Sequence, residues 1–334
     1  MKSWLRLGII GVVGCSDGLD PDAPAWSALS TDGVPARWGH VAVYDAARDR
    51  MLVFGGEGSD GQRSDLWALD LASRSWSPVD AAPGPAPSPR TDLAGILDAP
   101  RDRLVLIGGR VGMATSIAEV WALDLASRQW SPLAAGPSAR HDVSAATDGQ
   151  RAWVFGGAGV LFQSLDDLWE LDLATDTWRL LPDGGARPSA RTSGAFVHDR
   201  GALYLYGGHD VSQVQRDGWR YDLAAGRWAR LTPTGGSVAG AHFGVALDAA
   251  CDTLLLSAGD NLDNYDTALT DGLVLGASPR FARLPTSVLP PPRDHATLVL
   301  DPSRRQLILY GGGSLGDGLG LRSDAWWYPL GRCL

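Results

Sequence analysis

One pattern recurs along this 334-residue chain at intervals of about fifty residues, five times clearly and a sixth time in degraded form. The clearest copy runs from Pro35-Ala36-Arg37 through His40 and Asp45 to Val53-Phe54-Gly55-Gly56. It continues through Asp65-Leu66-Trp67 and Leu69-Asp70-Leu71 to Trp76. The Gly doublet returns at Gly108-Gly109, Gly156-Gly157, Gly207-Gly208 and Gly311-Gly312, and reads Ala258-Gly259 in the fifth copy. Tryptophans nine residues apart return as Trp67/Trp76, Trp121/Trp130, Trp169/Trp178 and Trp219/Trp228. A fixed period of this length means stacked copies of one supersecondary unit, none of which buries its apolar face alone.

Each unit reads as four short strands, a to d. Strand a is His40-Val41-Ala42-Val43-Tyr44, and the turn Asp45–Arg50 leads into strand b, Met51-Leu52-Val53-Phe54. Strand b is continuously apolar, as expected of a strand covered on both faces. Gly55-Gly56 ends it, where a sharp turn beside a neighbouring backbone needs positive φ and no Cβ. A polar loop of variable length follows. Strand c, Asp65 to Asp70, alternates, and the turn Leu71-Ala72-Ser73-Arg74 delivers strand d around Trp76. Beyond the N-terminus no stretch carries a 3.6-residue period, so helix content near zero is expected.

The Gly doublet after the second strand, the aromatic in the third and the Trp about nine residues on resemble the kelch repeat, from Ala25 to Leu334. The resemblance implies an all-β, six-bladed β-propeller like the central domain of galactose oxidase, one blade per repeat. Radial repetition also leaves no long open sheet edge. Strand a opens at Arg37, Arg90, Arg140, Arg191, Gly240 and Arg293, but the sixth copy ends just past its strand c, Asp324 to Tyr328. Ala25-Trp26-Ser27-Ala28-Leu29 supplies the missing strand d, so the N-terminal strand is expected to close the last blade.

Met1-Lys2-Ser3-Trp4-Leu5-Arg6 followed by the apolar run Leu7 to Val13 is too short to span a bilayer. Ending at Gly14-Cys15, it resembles a bacterial lipoprotein signal. That resemblance implies residues 1–14 as signal peptide, lipidation of Cys15, 15–24 as a polar tether and 25–334 as the propeller. It also implies an exported protein of the cell envelope, in the outer membrane by the Ser16 that follows Cys15, touching the membrane through the lipid only. Export leaves Cys251 and Cys333, on the turn face of neighbouring blades; an oxidising compartment favours their pairing, and two separate thiols remain the alternative. The net charge of −9 argues against a nucleic-acid surface. Most of the fourteen tryptophans occupy strand c and d positions and read as blade filler.

Candidate ligand-binding residues lie at the loop face. Arg37, Arg90, Arg140, Arg191 and Arg293 open strand a and can ring the channel mouth for an anion. Each repeat also carries an acid before the strand-c aromatic: Asp65, Glu119, Asp167, Asp217, Asp271 and Asp324. The preferred reading pairs these with the arginines, blade to blade, and leaves the acid of blade five, which has Gly240, seeking another partner. Two residues past each Arg position stand Gly39, Asp92, Asp142, Ser193, His242 and His295. Period-two alternation puts them on the same side as the arginines, as a second inner layer. Asp92, Asp142, His242 and His295 offer ligands for a cation or groups for proton transfer, without fixing a metal. His209-Asp210 in the blade-four loop adds a further His, and the acidic loop Asp260–Asp266 reads as solvated rather than as a Ca²⁺ loop.

These readings favour a binding or scaffolding module, monomeric and without cofactor, that takes a protein or glycan ligand at the loop face. The alternative is a carbohydrate-active enzyme working at the channel mouth. Resemblance at the level of fold brings in galactose oxidase and the sialic-acid mutarotases. No catalytic motif of either is matched residue by residue.

Overall fold

The strand b run Met51-Leu52-Val53-Phe54 is essentially without solvent contact, because strands a and c flank it within its sheet and neighbouring blades cover both faces. In this computed structural model, which describes residues 19–210, 212–237, 239–261, 266–314 and 320–334, blade one is an antiparallel meander. Its strands are Val41–Asp45, Arg50–Phe54, Leu66–Asp70 and Ser75–Pro78. Val41 faces Phe54, Phe54 faces Leu66, and Leu69 faces Trp76. Five further four-stranded sheets repeat the order.

The six sheets form a ring with strand a innermost. These inner strands are Val41–Asp45, Ala94–Asp98, Ser144–Thr147, Ala195–Asp199, Gly244–Asp248 and Thr297–Asp301. The buried apolar residues fall into six clusters, each straddling two neighbouring blades. Leu52 and Phe54 of blade one, for example, pack with Leu104 and Leu106 of blade two. The core therefore lies between units, so no single blade is stable alone.

Ser27–Leu29 adds to the outer edge of blade six by pairing with Ala325–Pro329, Ser27 opposite Trp327 and Leu29 opposite Ala325. Trp26 is 2% exposed and packs on Tyr328. The polar segment before it differs from the expected tether. The Asp20 amide donates to Thr286, the Ser287 amide to Pro24 and the Ser287 hydroxyl to Ala23, so from Asp20 onward the chain is held on the blade five–six connection. Residues 1–18, with the signal peptide and Cys15, lie outside the described residues.

The Gly doublets follow from crowding, the first Gly against the next blade and the second against the start of strand a in its own blade. Gly56 has φ +89, and a Cβ there would sit 2.7 Å from the Trp38 carbonyl; at Gly156, φ +63, it would sit 2.4 Å from the Arg191 carbonyl. Among the described residues, helical turns are limited to three of 3-10 type, at Ala46–Arg48, Ala99–Arg101 and Val160–Phe162. On the face opposite the loops, Cys251 and Cys333 are joined by a disulfide with Cα atoms 5.3 Å apart, which ties the C-terminus to blade five.

Candidate ligand site at the channel mouth

The five arginines that open strand a are 0–1% exposed and do not line the mouth. Arg140 uses every N–H of its guanidinium: Nε donates to Ser138, Nη1 to Gly156 and Asp167, Nη2 to Ser138 Oγ and Asp167. Arg37–Asp65, Arg90–Glu119, Arg191–Asp217 and Arg293–Asp324 repeat the pair. Burial opposes ionisation of Asp167, but the hydrogen bonds and charge of Arg140 outweigh it and hold the carboxyl below its usual range. The same acid takes the strand-c indole N–H, Trp169 to Asp167 at 2.7 Å and Trp67 to Asp65 at 2.7 Å. Those tryptophans are hydrogen-bond donors as well as filler. In blade five the acid turns to strand d, Asp271 to Arg283 at 3.0 Å.

The expected blade-to-blade direction of these ion pairs needs correction. Arg37 and Asp65 belong to the same blade, as do the other four pairs. The link between blades runs instead through the arginine's main chain: Arg37 N–H donates to Arg322 of blade six, and its carbonyl accepts from Gly312. Each arginine so ties the end of one blade to the start of the next. With all five consumed inside the walls, an anion-binding ring of Arg37, Arg90, Arg140, Arg191 and Arg293 is not formed.

The residues two positions on do reach the mouth, for a different reason than strand alternation. Gly39, Asp92, Asp142, Ser193, His242 and His295 all adopt left-handed backbone, φ between 46° and 61°. This turns them away from the arginines, so the two layers face opposite ways. Asp92 N–H donates to Gly39, Asp142 to Asp92, Ser193 to Asp142 and His295 to His242, blade to neighbouring blade. These hydrogen bonds make a rigid collar, below which lies a funnel of about 230 Å³ lined by all six residues.

The collar carries two unlike halves. On one side the rings of Trp38, His295, His242 and His209 follow one another. Trp38 meets His295 edge-on at 5.1 Å, His295 stacks on His242 at 3.8 Å, and His242 meets His209 at 4.8 Å. His242 Nδ1 is 3.1 Å from Asp260, and His295 Nδ1 is 3.2 Å from Asp294. Burial and the charge of His295 push His242 down to about 4. Burial also opposes charging of His295, but Asp294, with Asp92 and Asp142 beyond it, lifts the group to about 9. One proton therefore resides on His295 while His242 stays neutral.

On the other side stand Asp92, Asp142 and His141. Arg110 grips Asp92 at 2.9 Å. Asp142 keeps 21% of its side-chain surface; His141 Nε2, whose pKa burial pushes down, lies 3.8 Å away, and a ring nitrogen of the protonated His295 lies within 4.8 Å. Burial in the funnel, then repulsion from Asp92, raises its carboxyl to about 7. Ligand atoms of Asp92, Asp142 and His295 lie within 4.8 Å of one another, as do those of Asp260, Asp266 and Asp294. Either group offers three ligand atoms for a divalent cation, the first only once His295 gives up its proton. Residues 262–265 of the acidic loop lie outside the described residues.

Arg110, missed from the sequence, and Asp260, expected in a solvated loop but 4% exposed and bound to His242, complete the rim. Asp260 and Arg110 occupy the position directly after the Gly doublet, which reads Glu57, Arg110, Ala158, His209, Asp260 and Gly313 around the ring. Each pairs across a two-way backbone bridge with the residue after the strand-a arginine position, such as Arg110 with Thr91 and His209 with Thr192. Aligning the six copies on the doublet exposes this column of unlike residues. Above it, Met113 and Leu161 are each 91% exposed at the tips of the blade-two and blade-three loops. Ser116 Oγ, 3.2 Å from the Gly159 carbonyl, joins the two loops. Phe162 packs edge-on against His141 at 5.4 Å, which connects the apolar tips to Asp142.

Comparison with known proteins agrees with this architecture. The family model of the KLHDC2/KLHL20/DRC7 Kelch-repeats domain matches residues 18–135 and 65–259. Acyl-CoA-binding domain-containing protein 4 of Arabidopsis thaliana is 35% identical over 146 residues, 41% of this chain and 21% of its own length. Kelch domain-containing protein 10 of Xenopus tropicalis is 24% identical over 221 residues, 62% of this chain and 53% of its own length. The chain thus spans about a fifth of the first relative and about half of the second. With six blades, five of them carrying the Gly doublet and the Arg–acid brace, and a family match running from residue 18 to 259, the chain belongs to the kelch-repeat family of β-propellers.

Proposed function

We propose that this propeller is a protein-binding scaffold whose partner docks on the loop face, over the mouth and the loop tips of blades two and three. The kelch propeller fold suggests such a role, and the observation that carries it here is the exposed apolar edge beside the mouth. Met113, Val160, Leu161 and Phe162 expose large hydrophobic side chains, and Leu161 and Phe162 hold left-handed backbone, φ 56° and 60°. Apolar side chains in a strained, exposed turn cost stability and gather where a surface is used. Replacing both Leu161 and Phe162 with Ser should leave the thermal unfolding temperature unchanged and abolish partner capture by cross-linking in the source cell. Unchanged cross-links would overturn the reading.

The setting we propose is the bacterial cell envelope, with Cys15 lipidated and the propeller anchored to the outer membrane through that lipid. It rests on the N-terminal sequence and on the Cys251–Cys333 bridge, which suits an oxidising compartment. Mass spectrometry of the native N-terminus tests it. A diacylated Cys15 is expected, and an unprocessed Met1 would overturn it.

A further inference from the structure

The mouth is negative in spite of its histidines. Two cations face it, Arg110 and the His295 imidazolium, against Asp92, Asp142, Asp260 and Asp294, with Glu57 3.7 Å behind Arg110. Most of these acids are already engaged: Asp92 by Arg110 and Thr91, Asp294 by His295 and Asp260 by His242. Asp142 differs. Among the described residues nothing donates a hydrogen bond to its carboxylate, although collar and funnel hold it in place. Beside it on the collar, Ser193 Oγ is buried without a hydrogen-bond partner. A carboxylate that accepts no hydrogen bond, with the His295 ring within 4.8 Å but not bonded to it, next to an unsatisfied hydroxyl in a funnel, is a site for an incoming donor.

The surroundings say what kind of donor. Phe162, His141 and Asp142 form a continuous path from the exposed apolar tip to the carboxylate. The opposite wall carries the neutral aromatic rings of Trp38 and His242, and a cation's alkyl stem or a planar guanidinium packs on such faces. The chain as a whole carries −9, which draws a positive partner toward it. Resting on the protein-binding reading above, we propose that the mouth receives a basic side chain of the partner, an arginine or lysine, against Asp142 while flanking apolar residues pack on Leu161, Phe162 and Met113. A guanidinium answers the carboxylate with two parallel N–H donors and leaves one for Ser193 Oγ.

Three fluorescent peptides test this on the purified protein. One carries an arginine between two leucines, and the others have norleucine or glutamate in its place. The arginine peptide should bind about tenfold more tightly than the norleucine peptide. Asp142→Asn should erase that tenfold difference and leave norleucine binding unchanged, while Leu161→Ser should weaken both peptides. Asp142→Asn removes an uncomfortable charge, so it should fold; circular dichroism confirms that before binding is read. If arginine and norleucine bind equally but depend on Leu161, the basic-side-chain inference falls and the protein-binding reading stands. A preference for glutamate, or an arginine preference that survives Asp142→Asn, also overturns the inference. If no peptide binds at millimolar concentration and Leu161→Ser changes nothing, both fall.

Discussion

The imidazoles of His242 and His295 stack with centroids 3.8 Å apart and planes inclined by 25°, close enough that two charges there would repel strongly. Asp294, with Asp92 and Asp142 nearby, settles the proton on His295, and Asp260 orients His242 as the neutral ring. The pair sets a stability optimum. His295 holds its proton more tightly folded than unfolded, so its stabilisation is complete below about 6.5 and fades as pH rises through about 9. His242 holds its proton less tightly when folded, so its contribution is complete above about 6.5 and lost as pH falls through about 4. Thermal unfolding followed from pH 4 to 9 should lose its alkaline limb in His295→Gln and its acid limb in His242→Gln. Limbs unmoved by either change would refute the assignment.

Asp142 should reduce stability at the pH where it is ionised. Its carboxyl binds a proton more tightly folded than unfolded, so its stabilisation is present below 3.8 and lost as pH rises through about 7. Asp142→Asn is expected to raise stability by on the order of 1–2 kcal/mol at pH 8, with a much smaller gain near pH 4. Urea titrations at the two pH values measure both. A loss of stability at pH 8 would mean that the carboxylate has a structural partner.

Arg140→Lys should be costly despite keeping the charge. An ammonium cannot reproduce the two-pronged contact with Asp167 or reach Ser138 and Gly156 together. About 2–4 kcal/mol is expected, since the acid is left half-satisfied in a buried wall. Denaturant unfolding of the single and Asp167→Asn double variants gives the coupling. A change under about 0.5 kcal/mol would show the brace to be ornamental.

Closure of the ring by Ser27–Leu29 makes Trp26 a test of cooperativity. Trp26→Ala removes a buried indole packed on Tyr328 and Leu284 at the last blade. The expected cost is about 3–5 kcal/mol, spread through the ring because each blade's core is shared with its neighbour. Tryptophan fluorescence and far-ultraviolet circular dichroism should report one coincident transition. Blade six melting ahead of the rest would argue against closure as the organising contact.

Reducing the Cys251–Cys333 bridge, which spans a sequence separation of 82 residues, is expected to cost about 2–5 kcal/mol. Comparing unfolding with and without reductant, and in Cys333→Ser, measures it. Equal stability in all three would mean the C-terminus is held by other contacts, among them Arg280 to the Leu334 carbonyl.

Much of the brace was legible before coordinates. Arg37 and Asp65, or Arg140 and Asp167, open strand a and strand c of every good copy, 26 to 31 residues apart, and opposite charges at matching strand positions meet once strands a and c flank strand b. Their direction was not legible. Whether an ion pair lies within a blade or between two depends on the path of the connecting segment, and the main chain of Arg37 takes the role expected of its side chain. Alternation also failed at Asp92, Asp142, His242 and His295, because a left-handed residue resets the side on which a chain presents its side chains. Nothing in the identity of an Asp or His announces that backbone.

The sequence by itself determined the number of blades, the closing strand, the Gly turns and the opposed charges of the walls. Each of these is a local pattern repeated at a fixed period, and repetition carries it. Only the tertiary structure decided which unlike residues stand together at the mouth. His209, His242 and His295, or Asp92, Asp142 and His295, come from different blades and meet because the ring closes and the collar turns them inward. Their proximity is a property of closure, and no single repeat encodes it.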